Sequence, residues 1–432
     1  MQEIDLSKIN KVHFIGIGGI GISALAKMML NQGFDISGIN DCESSNTLSE
    51  LFDKSVDIKI STDFKDVKKD ADLYIYSLAW DDLTPDLMKE TRKLGKPVLT
   101  YFEGLGLISK DSYTIAVSGT HGKTTTTAMI AKVLLEAKKS PTVIVGSLLK
   151  EYNSNFVSGD SDLFVVEACE YRRSFLNLHP KIAIITNIDN DHLDYYKDIE
   201  DIKSAFRDFV LKVPRDGYVI CDTDDEKVKE VTKGLDCKVI NYRDYLENDL
   251  PMAVQGVHNK LNASIALAVA DILKLNFSEA EMSVSNFEGT WRRFELKGET
   301  ENGTTIYDDY GHHPTEIKAT LRGAREKFVD KKIIVAFQPH LYSRTKMLLG
   351  DFSNSFIDVD KVLILPIYAA REHKDPSINS EMLANKIGDR ALYVENFDIA
   401  KDLLSKELKR GDIFITIGAG DVYKIGEMML NQ

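Results

Sequence analysis

The stretch Tyr113–Ile130, "YTIAVSGTHGKTTTTAMI", decides how this chain is read. Its first six residues form a near-continuous apolar run, the pattern of a strand buried on both faces. From Thr124 onward the pattern is helical. "GTHGKTTTT" therefore lies at a strand-to-helix turn, where backbone N–H groups point at an anion. The run fits the phosphate-loop template G-x-x-x-x-G-K-[ST] with one departure. Val117 stands where the first glycine belongs, and Gly119 supplies the turn two residues later. Gly119, Thr120, His121, Gly122, Lys123, Thr124 and Thr125 are candidates for holding a nucleotide's phosphates. Lys123 suits the β- and γ-phosphates, and the Thr124 hydroxyl suits Mg²⁺. The template gives His121 no role. A Gly-Lys-Thr turn without ligand is the duller alternative, and the strand before and helix after argue against it.

Working outward, short apolar runs alternate with helical patterns. "KVHFIGI", "DLYIYS" and "PVLT" form one series; "YTIAVS", "LFVVE", "KIAIITN" and "GYVIC" form a second; "KIIVAF", "KVLILP", "ALYV" and "DIFITI" form a third. Such runs suit parallel strands joined by helical crossovers. The expected fold is α/β with three domains: a Rossmann-like nucleotide-binding domain over 1–108, a central phosphate-loop domain over 109–296 and a Rossmann-like domain over 297–432. The polar stretch "LKGETENGTT" (Leu296–Thr305) reads as the linker between the last two.

The N-terminal run "HFIGIGGIGISALAKMML" is strand, glycine-rich turn and helix. Gly16, Gly18 and Gly21 fit G-x-G-x-x-G, and Gly19 lies within the turn. These glycines allow a pyrophosphate to approach a helix N-terminus. Asp41, 20 residues after Gly21, stands where an acidic ribose partner is expected. NAD, another diphosphate such as a nucleotide sugar, and glycines that merely pack a helix on a sheet all remain open.

The 432 residues carry a net charge of −13, which argues against a general nucleic-acid binder. Cys42, Cys169, Cys221 and Cys237 show no C-x-x-C spacing, so a zinc site or disulfide framework is not expected. The opening "MQEIDLSKIN" is acidic and polar, and no apolar run approaches the ~18 residues of a membrane span. A cytoplasmic protein without a membrane partner is expected.

A metal beside nucleotide phosphates needs oxygen ligands. Glu167 ends the strand "LFVVE", with Glu170 three residues on. "TNIDNDHLDYY" places Asp191, His192 and Asp194 just past the next strand. In the C-terminal half, "WRRFE" offers two arginines, "DDYGHHPTEI" (Asp308–Ile317) reads as a loop rich in reactive groups, and "FQPHLYSRT" carries His340 and Arg344. Each alone is more ordinarily a solvated surface charge. Three together at loop positions are harder to dismiss.

Together, "GTHGKTTT", "TNIDNDHLDYY", "GVHNKLNA", "RRFE", "DDYGHHPTEI", "QPHLYSRT" and "PIYAARE" resemble the Mur ligases of peptidoglycan synthesis, over about Lys11 to Tyr423. The opening "GIGGIGIS" is similar to the alanine-adding branch. The resemblance implies a first domain that binds the UDP part of a sugar nucleotide (Gly16, Gly18, Gly19, Gly21, Asp41), a second that binds ATP, and a third that closes over both. It implies UDP-N-acetylmuramate and L-alanine as substrates, ATP and Mg²⁺ as cofactors, and an acyl phosphate that the amine attacks. It assigns Thr124, Glu167 and His192 to metal. Asn259, Arg293 and Asp308 would contact ATP, and His312 and Arg344 would lie near the incoming alanine. Lys123, His192, His312 and Arg344 would be the catalytic set. Leu341 departs from the arginine the family often carries after the histidine of "QPH", Cys169 stands where an acid is expected, and "GIND" replaces the usual Gly-Ser-Asp before Asp41. A monomer or homodimer is expected.

Other readings are a Mur-type ligase for a different amino acid or a peptide, an NAD-linked oxidoreductase taken from the first loop alone, and a phosphate-loop switch protein. The oxidoreductase reading leaves Lys123 idle. The switch reading expects ATP hydrolysis without a small acid substrate.

Overall fold

The computed structural model describes residues 4–42, 47–152, 154–192, 195–247, 249–254, 256–370 and 372–431. Asp194, one of the expected acids, lies outside them. By contact density the chain divides into two compact units: residues 1–190, 195–247 and 262–286, and residues 191–194, 248–261 and 287–432. The fold is α/β with three sheets, two in the first unit and one in the second.

The first sheet has five parallel strands, β1 (Lys11–Ile15), β2 (Asp35–Asn40), β3 (Asp57–Ile60), β4 (Leu73–Tyr76) and β5 (Val98–Thr100), in the order β3-β2-β1-β4-β5. This is the doubly wound order: strands are added to one side from β1 to β3 and to the other from β4, so the order switches between β1 and β4. Ile15, Ile39, Tyr74, Tyr76 and Trp80 share its core on one face.

The second sheet has β6 (Tyr113–Ser118), β7 (Thr142–Leu149), β8 (Ser154–Val157), β9 (Leu163–Glu167), β10 (Ile182–Ile185), β11 (Tyr218–Cys221) and β12 (Lys238–Asn241). Their order is β12-β11-β10-β6-β9-β7-β8, all parallel except the edge strand β8. β6 lies between β9 and β10, so the loop after it is flanked by the carboxyl ends of both.

One buried cation joins the first two sheets. Lys27, on the helix Ile20–Asn31, has a side chain 2% exposed; its ammonium stands 2.8 Å from Glu50 and donates to Asn155 Oδ1 at 2.9 Å. Asn155, on β8, donates in turn to Ser23 Oγ and to the Ile20 carbonyl. A buried ammonium is tolerated only where such partners compensate its lost hydration.

The third sheet has β13 (Glu295–Glu299), β14 (Thr305–Asp309), β15 (Ile333–Phe337), β16 (Lys361–Ile364), β17 (Ala391–Tyr393) and β18 (Ile413–Ile417), in the order β13-β14-β18-β15-β16-β17. Alternate residues of β15 enter two different cores: Ile333, Val335 and Phe337 on one face, Ile334 and Ala336 on the other. This is why its sequence reads as continuously apolar.

Two expectations change here. Leu296–Thr305 is not a linker: β13 and β14 form an antiparallel hairpin at the edge of the third sheet, so the expected boundary at 297 falls within β13. Asp308 and Asp309 are not in a loop either, because β14 runs through both. Among the described residues no helix is long and apolar enough to cross a membrane.

Candidate active site

The first glycine loop follows β1. Gly16 adopts φ +78°, and a side chain there would collide with the indole of Trp80. Gly18 donates its N–H to Asn40 Oδ1 at 3.0 Å, and its carbonyl accepts from Thr47 Oγ at 2.6 Å. Gly19 caps the helix Ile20–Asn31. Gly21 lies against Tyr101: a Cβ there would stand 2.8 Å from the ring and 2.9 Å from its hydroxyl. Asp41 is exposed at the end of β2. Asn40, in "GIND", thus braces the loop from below.

The phosphate loop follows β6, and Lys123 opens the helix Lys123–Glu136. Its two glycines are required by what packs on them. Gly119 has φ +130° and a Cβ there would collide with Thr186 Oγ; Gly122 has φ +83° and a Cβ there would stand 2.8 Å from Asn262 Oδ1. Val117 is fully buried in β6, paired in register with Glu167, so the turn begins at Gly119. His121 acts through its backbone. Its N–H donates to Asn187 Oδ1 at 2.9 Å, and its carbonyl accepts from Thr186 Oγ at 2.6 Å and from Asn187 Nδ2 at 3.0 Å. Its ring Nε2 lies 3.4 Å from Asp189. His121 therefore ties the phosphate loop to the end of β10. Thr120 and Thr124 are buried, and Thr125 stands on the same first turn.

Lys123 donates to the carbonyls of Gly119 and Thr120 and pairs with Glu170 at 3.0 Å. Burial alone would lower its pKa; Glu170, then Cys169 and Glu167, outweigh burial and hold it above the ordinary lysine value. Glu167 Oε2 fills the space that a Gly146 side chain would occupy. Burial, with Glu170, pushes the Cys169 thiol up to about 12, so it is neutral and a poor metal ligand. Thr124 and Glu167 thus offer the hard oxygen donors that a divalent cation beside phosphates takes, with Gly146 leaving room for the carboxylate.

The second unit carries a separate cluster. His192 has φ +55°, and its N–H donates to Asp191 Oδ1 at 2.7 Å. Asp191 pairs with Arg344 at 3.0 Å, and Arg344 Nη1 donates to His340 Nδ1 at 3.2 Å. Burial would raise the Asp191 pKa, but His192, Arg344, His312 and His313 hold it far below the carboxylate range. The His312 and His340 rings are 5.6 Å apart, and His340 stacks on Tyr368. His312 Nδ1 donates to the Tyr310 carbonyl at 3.1 Å, which leaves its Nε2 with the lone pair. Burial pushes its pKa down to about 4, so the ring is neutral at pH 7. His313 caps the helix Pro314–Lys327, where Glu316 accepts from the N–H groups of His312 and His313.

The two arginines of "WRRFE" diverge. Arg292 is buried, pairs with Asp308 at 2.7 Å, donates to the Gly418 and Gly420 carbonyls and lies 4.6 Å from the Tyr423 ring centre. Asp308, also bound by Thr416, is 1% exposed. It locks the domain's interior and presents no carboxylate to a ribose, contrary to expectation. Arg293 is partly exposed beside Tyr310 and Glu316. Asn259 stands in the first turn of the helix Val257–Ile272. Further along that helix Asn262 accepts from Thr126 at 3.1 Å, backing the phosphate loop; only its spacing of three from Asn259 hinted at it.

A phosphate loop on one sheet, a glycine loop on another and a histidine–arginine–aspartate cluster on a third define a nucleotide-dependent enzyme of three α/β domains. The chain belongs to the Mur ligase family: the family's catalytic domain matches residues 11–113, the Mur ligase middle domain residues 117–249, and the Mur ligase glutamate ligase domain residues 292–420. It is 42% identical to the UDP-N-acetylmuramate–L-alanine ligase of Acetivibrio thermocellus, over 100% of this chain and 98% of that protein. The crystal structure of UDP-N-acetylmuramate–alanine ligase from Thermotoga maritima matches 98% of each chain with a TM-score of 0.79 at 28% identity. A murein peptide ligase from Psychrobacter arcticus shares the fold over 98% of each chain, with a TM-score of 0.73 at 22% identity.

Proposed function

We propose that this chain is an ATP-dependent amide ligase that joins L-alanine to the lactyl carboxylate of UDP-N-acetylmuramate, releasing ADP and phosphate. The observation that carries this reading is the phosphate loop with its buried Lys123–Glu170 pair, in a chain so similar end to end to named alanine ligases. UDP-N-acetylmuramate would lie with its diphosphate at Gly16, Gly18, Gly19 and Gly21 and its ribose at Asp41. Residues 1–108 would form the sugar-nucleotide domain, with the ATP domain ending ahead of β13.

The reaction has two halves. In the first, a carboxylate attacks the γ-phosphorus of ATP, bringing two anions together. Lys123, leaving Glu170, would balance the charge on the transferring phosphoryl group, and the N–H groups of Gly119–Thr125 would hold the phosphates. A divalent metal, which we take to be Mg²⁺ held by Thr124, Glu167 and His192, would supply further charge neutralisation when bound. Asn259 and Arg293 would contact the nucleotide. In the second half the amine of L-alanine attacks the acyl carbon and phosphate leaves, with Arg344 and neutral His312 near the amino acid. Cytoplasmic ATP and nucleotide sugar would place the enzyme in the cytoplasm.

The test is ADP release from ATP and UDP-N-acetylmuramate with and without L-alanine; release that ignores the amino acid removes the reading. One observation favours a second reading, a ligase for serine or glycine. Leu341 is buried and offers no guanidinium, so one cation fewer selects the amino acid. A panel of amino acids in the same assay separates the two.

A further inference from the structure

Asp191 and Arg344 form an ion pair with side chains only 11% and 9% exposed. Another carboxylate nearby, Glu316, accepts from the N–H groups of His312 and His313 and stands 3.7 Å from Arg293. Among the described residues, the backbone N–H that Asp191 accepts is that of His192. The pair is positioned by an unusual backbone turn at Leu341. Leu341, between His340 and Arg344, takes φ +70° and ψ 136° while buried, a conformation that a side-chain-bearing residue rarely adopts. It persists because the Leu341 N–H donates to the Tyr368 carbonyl at 2.9 Å and the Leu341 carbonyl accepts from Thr345 Oγ at 2.7 Å. These bonds direct His340 and Arg344 at the same point, where they meet at 3.2 Å.

An α-amino acid carries its own ion pair, a carboxylate and an ammonium two bonds apart on one carbon. Inserting it between Asp191 and Arg344 replaces one buried ion pair by two. No charge is left uncompensated before or after, so the exchange avoids the large cost of an orphaned buried charge. The planar guanidinium accommodates the carboxylate with two parallel N–H bonds, and Asp191 Oδ1 is then free to accept from the ammonium.

We propose that Asp191 is the ammonium-binding residue of the amino-acid site and that the Asp191–Arg344 pair is the site's closed form, opened by exchange with the substrate zwitterion. This rests on the amino-acid ligase reading given above. It explains why a carboxylate stands among four histidines and an arginine: without it the buried Arg344 guanidinium would lose its carboxylate partner.

The experiment uses the full chain in the ADP-release assay. Wild-type dependence on L-alanine tests the ligase reading by itself; its absence ends both. With that dependence in hand, Asp191→Asn is expected to raise the KM for L-alanine about tenfold, as expected for one lost charge-assisted hydrogen bond, with the KM for ATP and for UDP-N-acetylmuramate within about twofold. Propionate, a carboxylate without an amine, separates the roles: its inhibition constant should be unchanged or lower in Asp191→Asn, since Arg344 loses a competitor. A residue that merely props Arg344 predicts that both constants worsen together, and that result, or an unchanged alanine KM, overturns the proposal. Asp191→Glu should recover most of the alanine affinity. Should Asp191→Asn not fold, wild-type enzyme that binds propionate or L-lactate as tightly as L-alanine overturns it equally.

Discussion

The ammonium of Lys123 stands 3.0 Å from the carboxylate of Glu170, with side chains 17% and 3% exposed. The cation we assign to a phosphate is thus already paired with a carboxylate. Lys123→Ala should cut L-alanine-dependent ADP release by more than about a hundredfold, because the transferring phosphoryl group loses its fixed countercharge. UDP-N-acetylmuramate binding, followed by calorimetry, should change less than about twofold. The same substitution removes the ammonium beside the buried Glu170 carboxylate, at a cost of about 3 kcal/mol in denaturation. Adding Glu170→Gln should return most of that stability and none of the activity.

Gly21 and Tyr101 touch where a Cβ would stand. Gly21→Ala should weaken sugar-nucleotide binding by about tenfold and lower stability by about 1–3 kcal/mol, because the ring must shift. In the double variant with Tyr101→Ala the two losses should sum to more than the pair costs together, as expected for neighbours sharing one space. Additive losses would show that the ring yields freely.

His13 lies on β1 with its ring buried and its Nδ1 2.9 Å from Ser37 Oγ. Burial, with Lys68, lowers its pKa from 6.5 to about 4. The folded protein therefore favours the neutral ring, and this contribution is complete above pH 6.5 and lost as pH falls toward 4. At pH 5 the loss is about 2 kcal/mol. Urea denaturation of a Trp291→Phe protein, followed by the emission of Trp80, its one remaining tryptophan, should show His13→Gln narrowing the stability gap between pH 7.5 and pH 5 by about that amount.

Glu167, over the gap at Gly146, is the metal ligand we assign to β9. Chelation should abolish ADP release, and Glu167→Gln should raise the metal concentration for half-maximal rate by about tenfold or more. A metal requirement unmoved by Glu167→Gln would exclude the carboxylate from the ligand set.

The sheets were legible wherever strands are buried on both faces. β15 and β18 are continuous apolar runs because each faces two cores, and β6 and β9 are buried at nearly every position. The hairpin β13–β14 was not. It lies at a sheet edge, with Glu295, Lys297 and Glu299 in β13, and an edge strand wetted on one side loses the apolar signal. The phosphate loop was readable from its glycines, yet the work of His121 was hidden because its backbone carries it. Asp308 shows the reverse failure. A carboxylate beside histidines read as reactive, but its partner Arg292 is 16 residues away and only the fold brings them together.

The Lys27 contact with Glu50 and Asn155 bears on how the protein can be dissected. A fragment ending after the helix Tyr101–Ser109 would keep a complete five-stranded sheet. It would also keep a lysine whose remaining partner among the described residues is Glu50, on a helix face stripped of β8. Such a fragment should precipitate or bind its own copies, whereas one carrying the first two sheets together should behave as a self-sufficient piece. The minimal autonomous portion of this chain is therefore two sheets, although the smaller one has a core of its own.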